Sequence, residues 1–135
     1  MTNDKYQTNS NTEMTMTETP AGRPYDLEDR TFEFAKAVRA FVKKLPRTVC
    51  NLEDVKQVVR SSGSVGANYI EANESLNKKD FKMRLKISRK KAKETRYWLR
   101  LLDPGADTGL CSERDSLIQE SDELLKIFSA IINKS

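Results

Sequence analysis

From Leu27 onward, apolar residues recur at alternating intervals of four and three, the period of helices that bury one stripe. One stripe runs Leu27, Thr31, Phe34, Val38, Phe41, Leu45. A second runs Phe81, Leu85, Ser88, Ala92, Thr95, Leu99, Leu102, and a third Leu117, Ser121, Leu124, Phe128, Ile131. Between them, Val55, Val58, Val59, Ser62, Val65, Gly66, Tyr69 and Ile70 keep the same period. No strand-like alternation of useful length competes, so the pattern predicts four helices in an all-α fold.

The ends of these segments carry matching signals. Asp26-x-x-Asp29, Asn51-x-x-Asp54, Asn77-x-x-Asp80 and Ser112-x-x-Asp115 each set a capping side chain three residues before a carboxylate. The first can accept bonds from orphan backbone N–H groups, and the second sits where the helix dipole favours negative charge. Leu45-Pro46 and Asp103-Pro104-Gly105 mark stops, because proline disfavours α geometry in the residue before it. The expected helices span about 26–45, 52–74, 78–102 and 112–133. Short links make successive helices neighbours, giving an antiparallel up-down bundle over residues 25–135. Residues 1–24, rich in Thr and Asn, cannot bury enough surface to offset their ordering entropy and are expected to be a disordered tail.

The second helix is unusually small at Ser61-Ser62-Gly63-Ser64-Val65-Gly66-Ala67. Each mid-helix glycine costs about 1 kcal/mol against alanine, so a neighbour is expected to come close, with the third helix and Trp98 as candidates. The other reading, a GxxG loop clamping nucleic-acid backbone, needs a βααβ context that is missing.

Composition narrows the function. No apolar run reaches the ~20 residues that span a bilayer, and no secretory signal is expected, so the anticipated compartment is the cytoplasm with no membrane partner. The chain has no histidine and two cysteines, Cys50 and Cys111, without CxxC spacing. Histidine-dependent catalysis and Cys/His metal sites are excluded; no metal or cofactor is expected, and the thiols read as reduced. Both cysteines are expected in loops at one end of the bundle.

The net charge of +4 is unevenly placed. Residues 78–103 carry eleven Lys/Arg against three Asp/Glu, whereas residues 52–77 and 104–135 are net acidic. On a helical wheel Lys79, Lys82, Lys86, Arg89, Lys90, Lys93 and Arg100 fall away from the apolar seam, and Tyr97 points the same way. Such a stripe can bind phosphates and stack a base; the alternative is an ordinary solvated face. A polar group, Asn68, Glu71, Asn73, Glu74, Glu94 and Arg96, sits where a core is expected. It reads as hydrogen bonds and ion pairs fixing register between helices or subunits rather than as a carboxylate catalytic pair. Phe32, Met83, Ile87 and Trp98 are large, apolar and off the seam, and suggest an interface between copies.

Several stretches resemble a known family. Tyr25-Asp26-Leu27-Glu28-Asp29-Arg30-Thr31-Phe32-Glu33-Phe34-Ala35, Lys44-Leu45-Pro46, the run Arg60 to Asn73 containing SVGAN, Lys79-Asp80-Phe81, and Glu94-Thr95-Arg96-Tyr97-Trp98-Leu99 are similar to the bacterial four-helix bundle proteins. Members were first noticed as reading frames within intervening sequences of 23S ribosomal RNA genes. The resemblance implies an antiparallel four-helix bundle assembled as a homopentameric ring, without enzyme activity. More distantly, the chain resembles accessory proteins of diversity-generating retroelements, basic rings that bind nucleic acid and a reverse transcriptase. The functional expectation is a homo-oligomer that binds RNA or DNA through its third helix with low sequence specificity. The alternative is a scaffold for a protein encoded nearby, such as a polymerase, with no nucleic acid bound.

Overall fold

The computed structural model describes residues 26–135; the tail expected over residues 1–24 lies outside the described residues. Four helices follow in order, α1 (Leu27–Val42), α2 (Val49–Asn73), α3 (Lys78–Leu101) and α4 (Thr108–Lys134), and no strand occurs among the described residues. Neighbouring helices pack as α1 on α2, α2 on α3, α3 on α4, and α4 back on α1. The α1–α3 and α2–α4 pairs are therefore the diagonals of the bundle, across the core from each other.

Two starts are as the sequence predicts. Asp26 Oδ1 accepts from the Asp29 N–H at 2.8 Å, and Asn77 Oδ1 from the Asp80 N–H at 2.9 Å. The other two lie upstream of the expected positions. α2 is capped by Thr48, whose Oγ1 accepts from the Asn51 N–H at 3.1 Å. Asn51 is inside the helix, fully buried, and its amide joins two loops. It donates to the Pro46 carbonyl (3.0 Å) and the Asp103 carbonyl (2.8 Å), and accepts from the Asp103 N–H (2.9 Å).

α4 is capped by Asp107 rather than Ser112, with Asp107 Oδ1 accepting from the Leu110 N–H at 3.1 Å. Starting there brings Leu110 into the core. The turn before it closes on Gly105, at φ 73°, a conformation that suits glycine, and the Gly105 N–H donates to Asp103 Oδ1 at 2.8 Å. Cys50 and Cys111 thus lie in the first turns of α2 and α4, not in loops, and both thiols are free. At the other stop, α1 ends at Val42, short of Leu45, yet Leu45 remains buried.

The predicted seams form the core. Phe34, Phe41, Phe128, Leu85, Leu99, Leu102, Leu124, Val38, Val58 and Val65 are fully buried. The small polar residues within the seams are buried too, and two of them bond across helices: the Ser88 hydroxyl donates to the Val65 carbonyl (2.9 Å), and the Thr95 hydroxyl to Ser61 Oγ (2.8 Å). Ile132, rather than Ile131, is the buried residue at the end of α4.

The glycines of α2 face α1 rather than α3. A Cβ on Gly66 would stand 2.8 Å from Thr31 Oγ1, and one on Gly63 would stand 3.3 Å from the Arg39 guanidinium. Trp98 packs against the core on another side, so the close neighbour expected from α3 is α1.

Candidate nucleic-acid interface

The spacing of α3 sorts its charged residues into an outer stripe and two flanks. Lys79, Met83, Lys86, Lys90, Lys93, Tyr97 and Arg100 repeat at four and three and are all exposed. Among the described residues, none of the five cations in this stripe has a carboxylate within salt-bridge distance. Tyr97 is 56% exposed.

The flank toward α4 is engaged. Lys82, Arg89 and Arg96, spaced by seven, donate to the Ser135 carbonyl (3.2 Å), Ser129 Oγ (3.4 Å) and Asp122 Oδ1 (2.6 Å). Of the eight residues expected to form the binding face, Lys82 and Arg89 therefore belong to the α3–α4 contact. The flank toward α2 holds Arg84, which donates to Asn68 Oδ1 (3.4 Å), and Lys91, paired with Glu94 at 3.3 Å.

The expected polar group makes separate contacts at the edges of the bundle rather than one buried network. Glu71, Asn73 and Glu74 are exposed at the end of α2, outside the core. Asn73 donates to Glu28 on α1 at 2.8 Å, and Asn68 to the Ser64 carbonyl of its own helix at 2.9 Å. Glu94 pairs with Lys91 on its own helix, whereas Arg96 reaches Asp122 of α4. These positions lie at the margins of the helix contacts, where a polar head reaches water, so their contacts join helices without entering the core.

A buried ion pair not singled out in the sequence lies between α1 and α4. Arg30 donates twice to Glu120, at 2.7 and 2.8 Å, and once to Glu123 at 2.8 Å, with Glu120 only 4% exposed. Its hydrogen bonds to Glu120 hold the Arg30 guanidinium more firmly protonated than usual. Burial pushes the Glu120 carboxyl above its ordinary range, against the opposing pull of Arg30. Asp122 moves the other way, held below the usual range by the Lys126 ammonium at 3.1 Å and by Arg96. Glu120 and Glu123 are thus engaged by Arg30 of α1, and Asp122 by Lys126 and by Arg96 of the α3 flank.

The residues expected at an oligomer interface are split. Phe32, 58% exposed with Lys36 Nζ 5.5 Å above its ring, lies on α1, diagonal to Met83, Ile87 and Trp98 on α3. Met83 is 49% exposed, whereas Ile87 and Trp98 are half-buried.

Beside the outer stripe, a cavity of about 500 Å³ opens between α2 and α3, lined by Gln57, Lys90, Lys93, Glu94, Tyr97 and Trp98. The Tyr97 and Trp98 rings meet edge to face, 5.1 Å apart and 78° to each other. No cluster of His, Cys, Asp and Glu suited to a metal occurs among the described residues, nor is any helix there long and apolar enough to cross a membrane.

No curated protein matches the chain. Among solved structures it is similar to a protein of unknown function from the S23 ribosomal protein family of Bacteroides thetaiotaomicron. The two share 32% identity over 79% of this chain and 98% of the other, with a TM-score of 0.66. The model of the 23S rRNA-intervening sequence proteins matches residues 25–130. With its seams, its four helices and this match in agreement, the chain belongs to the 23S rRNA-intervening sequence protein family.

Proposed function

We propose that this is a cytoplasmic, non-enzymatic protein that binds RNA or DNA through phosphate contacts along the outer stripe of α3, with little sequence specificity. The observation that carries the reading is the division of cations on α3: Lys82, Arg84, Arg89, Lys91 and Arg96 on the flanks are engaged by α2, α4 or α3 itself, while among the described residues Lys79, Lys86, Lys90, Lys93 and Arg100 have no acidic partner. At 1.5 Å per residue the stripe is about 31 Å long, enough to follow several phosphates.

Five contacts give a fall of log affinity with log salt of about 4.5 on a duplex, or about 3.5 on a single strand. Replacing Lys86, Lys90 and Lys93 with Glu should abolish binding while helicity by circular dichroism stays unchanged. Lys90 is preferred to Arg89 in this variant because Arg89 is committed to Ser129. Unchanged binding by the triple variant, with an unchanged salt slope, would refute the assignment.

The bundle is taken as antiparallel and up-down. Supporting this, Lys82, Arg89 and Arg96 meet Ser135, Ser129 and Asp122 in opposite chain order, and Ser88 and Thr95 meet Val65 and Ser61 likewise. The protein self-associates, with the pentameric ring that the family resemblance implies. Phe32 and Met83 lie on diagonal helices, so they offer two different faces, as the head-to-tail contacts of a ring require. Light scattering should then give about five times the 15.4 kDa chain mass; a monomer would remove the ring from the proposal.

A further inference from the structure

We propose that the nucleic acid is single-stranded and that one unpaired base enters the groove between α2 and α3, stacking on Tyr97. The inference rests on the nucleic-acid reading and specifies its substrate. The groove, at about 500 Å³, falls within the size range of small-ligand sites. It opens directly onto the phosphate-binding stripe, since Lys90, Lys93 and Tyr97 belong to both.

Tyr97 is held for this role. Trp98 packs against the core, and its edge-to-face contact with Tyr97 (78°) braces the tyrosine from one side while more than half of that residue stays exposed. Beyond its Trp98 contact, the exposed part of the Tyr97 ring packs on nothing among the described residues. Beside a phosphate path, it presents a π surface to a base whose backbone Lys90 and Lys93 neutralise.

Duplex bases have both faces covered by their neighbours, so only an unpaired base can use this surface. On the opposite wall, Gln57 of α2 makes no hydrogen bond among the described residues. Its amide offers a donor and an acceptor together, so it can meet the edge of any base. Glu94, tied to Lys91 at 3.3 Å, adds a negative wall that keeps phosphate at the rim, on the lysine side.

Trp98 is the only tryptophan in the chain, so its fluorescence reports on this groove. The test titrates the full-length protein with an oligothymidylate of about twelve nucleotides and with an abasic strand carrying the same number of phosphates. The oligothymidylate should change Trp98 emission and bind about 5- to 150-fold more tightly. Tyr97→Ala should erase that difference while leaving affinity for the abasic strand intact, and Tyr97→Phe should retain it. Equal binding of the two strands with unchanged emission would overturn the base site and leave phosphate binding standing. Tighter binding of a duplex of equal length would overturn the single-strand assignment. Failure of every strand to bind would overturn both this inference and the reading beneath it.

Discussion

Alanine at Gly63 and at Gly66, three residues apart on one helix, should move stability in opposite directions. Each substitution gains about 1 kcal/mol of helix propensity. At Gly63 the new methyl group would stand 3.3 Å from the far end of the exposed Arg39 side chain, which can swing aside. Most of the propensity gain survives, and Gly63→Ala should stabilise by about 0.5–1 kcal/mol. At Gly66 the methyl would stand 2.8 Å from Thr31 Oγ1 and 3.1 Å from Thr31 Cβ. Thr31 is fully buried and its hydroxyl donates to the Leu27 carbonyl at 2.9 Å, so it has nowhere to go. Overpacking of this kind costs about 1–3 kcal/mol, leaving a net loss of roughly 1 kcal/mol for Gly66→Ala. Denaturant unfolding at fixed protein concentration, with an unchanged slope, measures both. Thr31→Ala removes the closest atom, so the Gly66→Ala, Thr31→Ala double variant should be more stable than the sum of the singles by at least about 0.5 kcal/mol. Gly66→Ala stabilising as much as Gly63→Ala, without coupling to Thr31, would refute the close approach of α1 to α2.

Asn51→Ala should cost about 2–4 kcal/mol in the same assay, because it orphans groups of Pro46 and Asp103 at once; a loss under 0.5 kcal/mol, the size of an ordinary surface change, would mean that the loops hold together without it. Glu120→Gln should cost about 2–4 kcal/mol by leaving the Arg30 charge with Glu123 alone, and the same unfolding measurement checks it. The carboxylates of α4 should also titrate in opposite senses. The folded-state pKa of Glu120 is raised, so its contribution falls as pH rises from the ordinary glutamate range through the folded value. That of Asp122 is lowered, so its contribution is present above the ordinary aspartate range and lost as pH falls through the folded value. The stability gap between the native chain and Asp122→Asn should therefore close on acidification, as unfolding curves at neutral and acid pH can show. Lys90→Glu turns the like-charge pairs with Lys86 and Lys93 into attractive ones, against one new repulsion with Glu94 four residues on. It should stabilise by about 0.5–1 kcal/mol while weakening nucleic-acid binding.

The bundle was legible because burial in a helix writes itself as a period. Phe34, Val38 and Phe41, or Leu85, Ala92 and Leu99, show which side faces inward without reference to any partner. Starts were less legible where two residues could serve as the cap. Asp107 and Ser112 both suit that position, and the choice depends on whether Leu110 is buried, a tertiary fact. Asn51 has the right chemistry for a cap, but its amide is more valuable inside, where it ties the Pro46 loop to Asp103, 52 positions beyond Asn51 itself. The Arg30–Glu120 pair, 90 positions apart, leaves no local trace at all. The basic face was legible as a direction on a wheel. A wheel cannot tell the outer stripe from a flank that a neighbouring helix will cover, which is why Lys82 and Arg89 were grouped with the free cations.

The outer stripe is also where the sequence works against its own fold. Lys86, Lys90 and Lys93 stand at successive i, i+4 and i, i+3 spacings, and each such like-charge pair costs about 0.2–0.5 kcal/mol. A single acid at the middle position would turn both repulsions into attractions. The rest of the bundle shows that such pairing is available to this chain: Arg96 has Asp122, Lys91 has Glu94, and Arg30 has Glu120 and Glu123. Beside the stripe, Lys91 and Arg96 have acids and Lys82, Arg84 and Arg89 have neutral hydrogen-bond acceptors; along it, among the described residues, no cation has an acid. Met83 and Tyr97 compound the inconsistency by placing apolar surface in water on the same line. A local conflict left standing in an otherwise consistent fold is the signature of a surface kept for something outside the chain. Here the conflict has a sign, positive, and a shape, a straight line broken by an aromatic ring, and the proposed ligand, a polyanion with exposed bases, would resolve both.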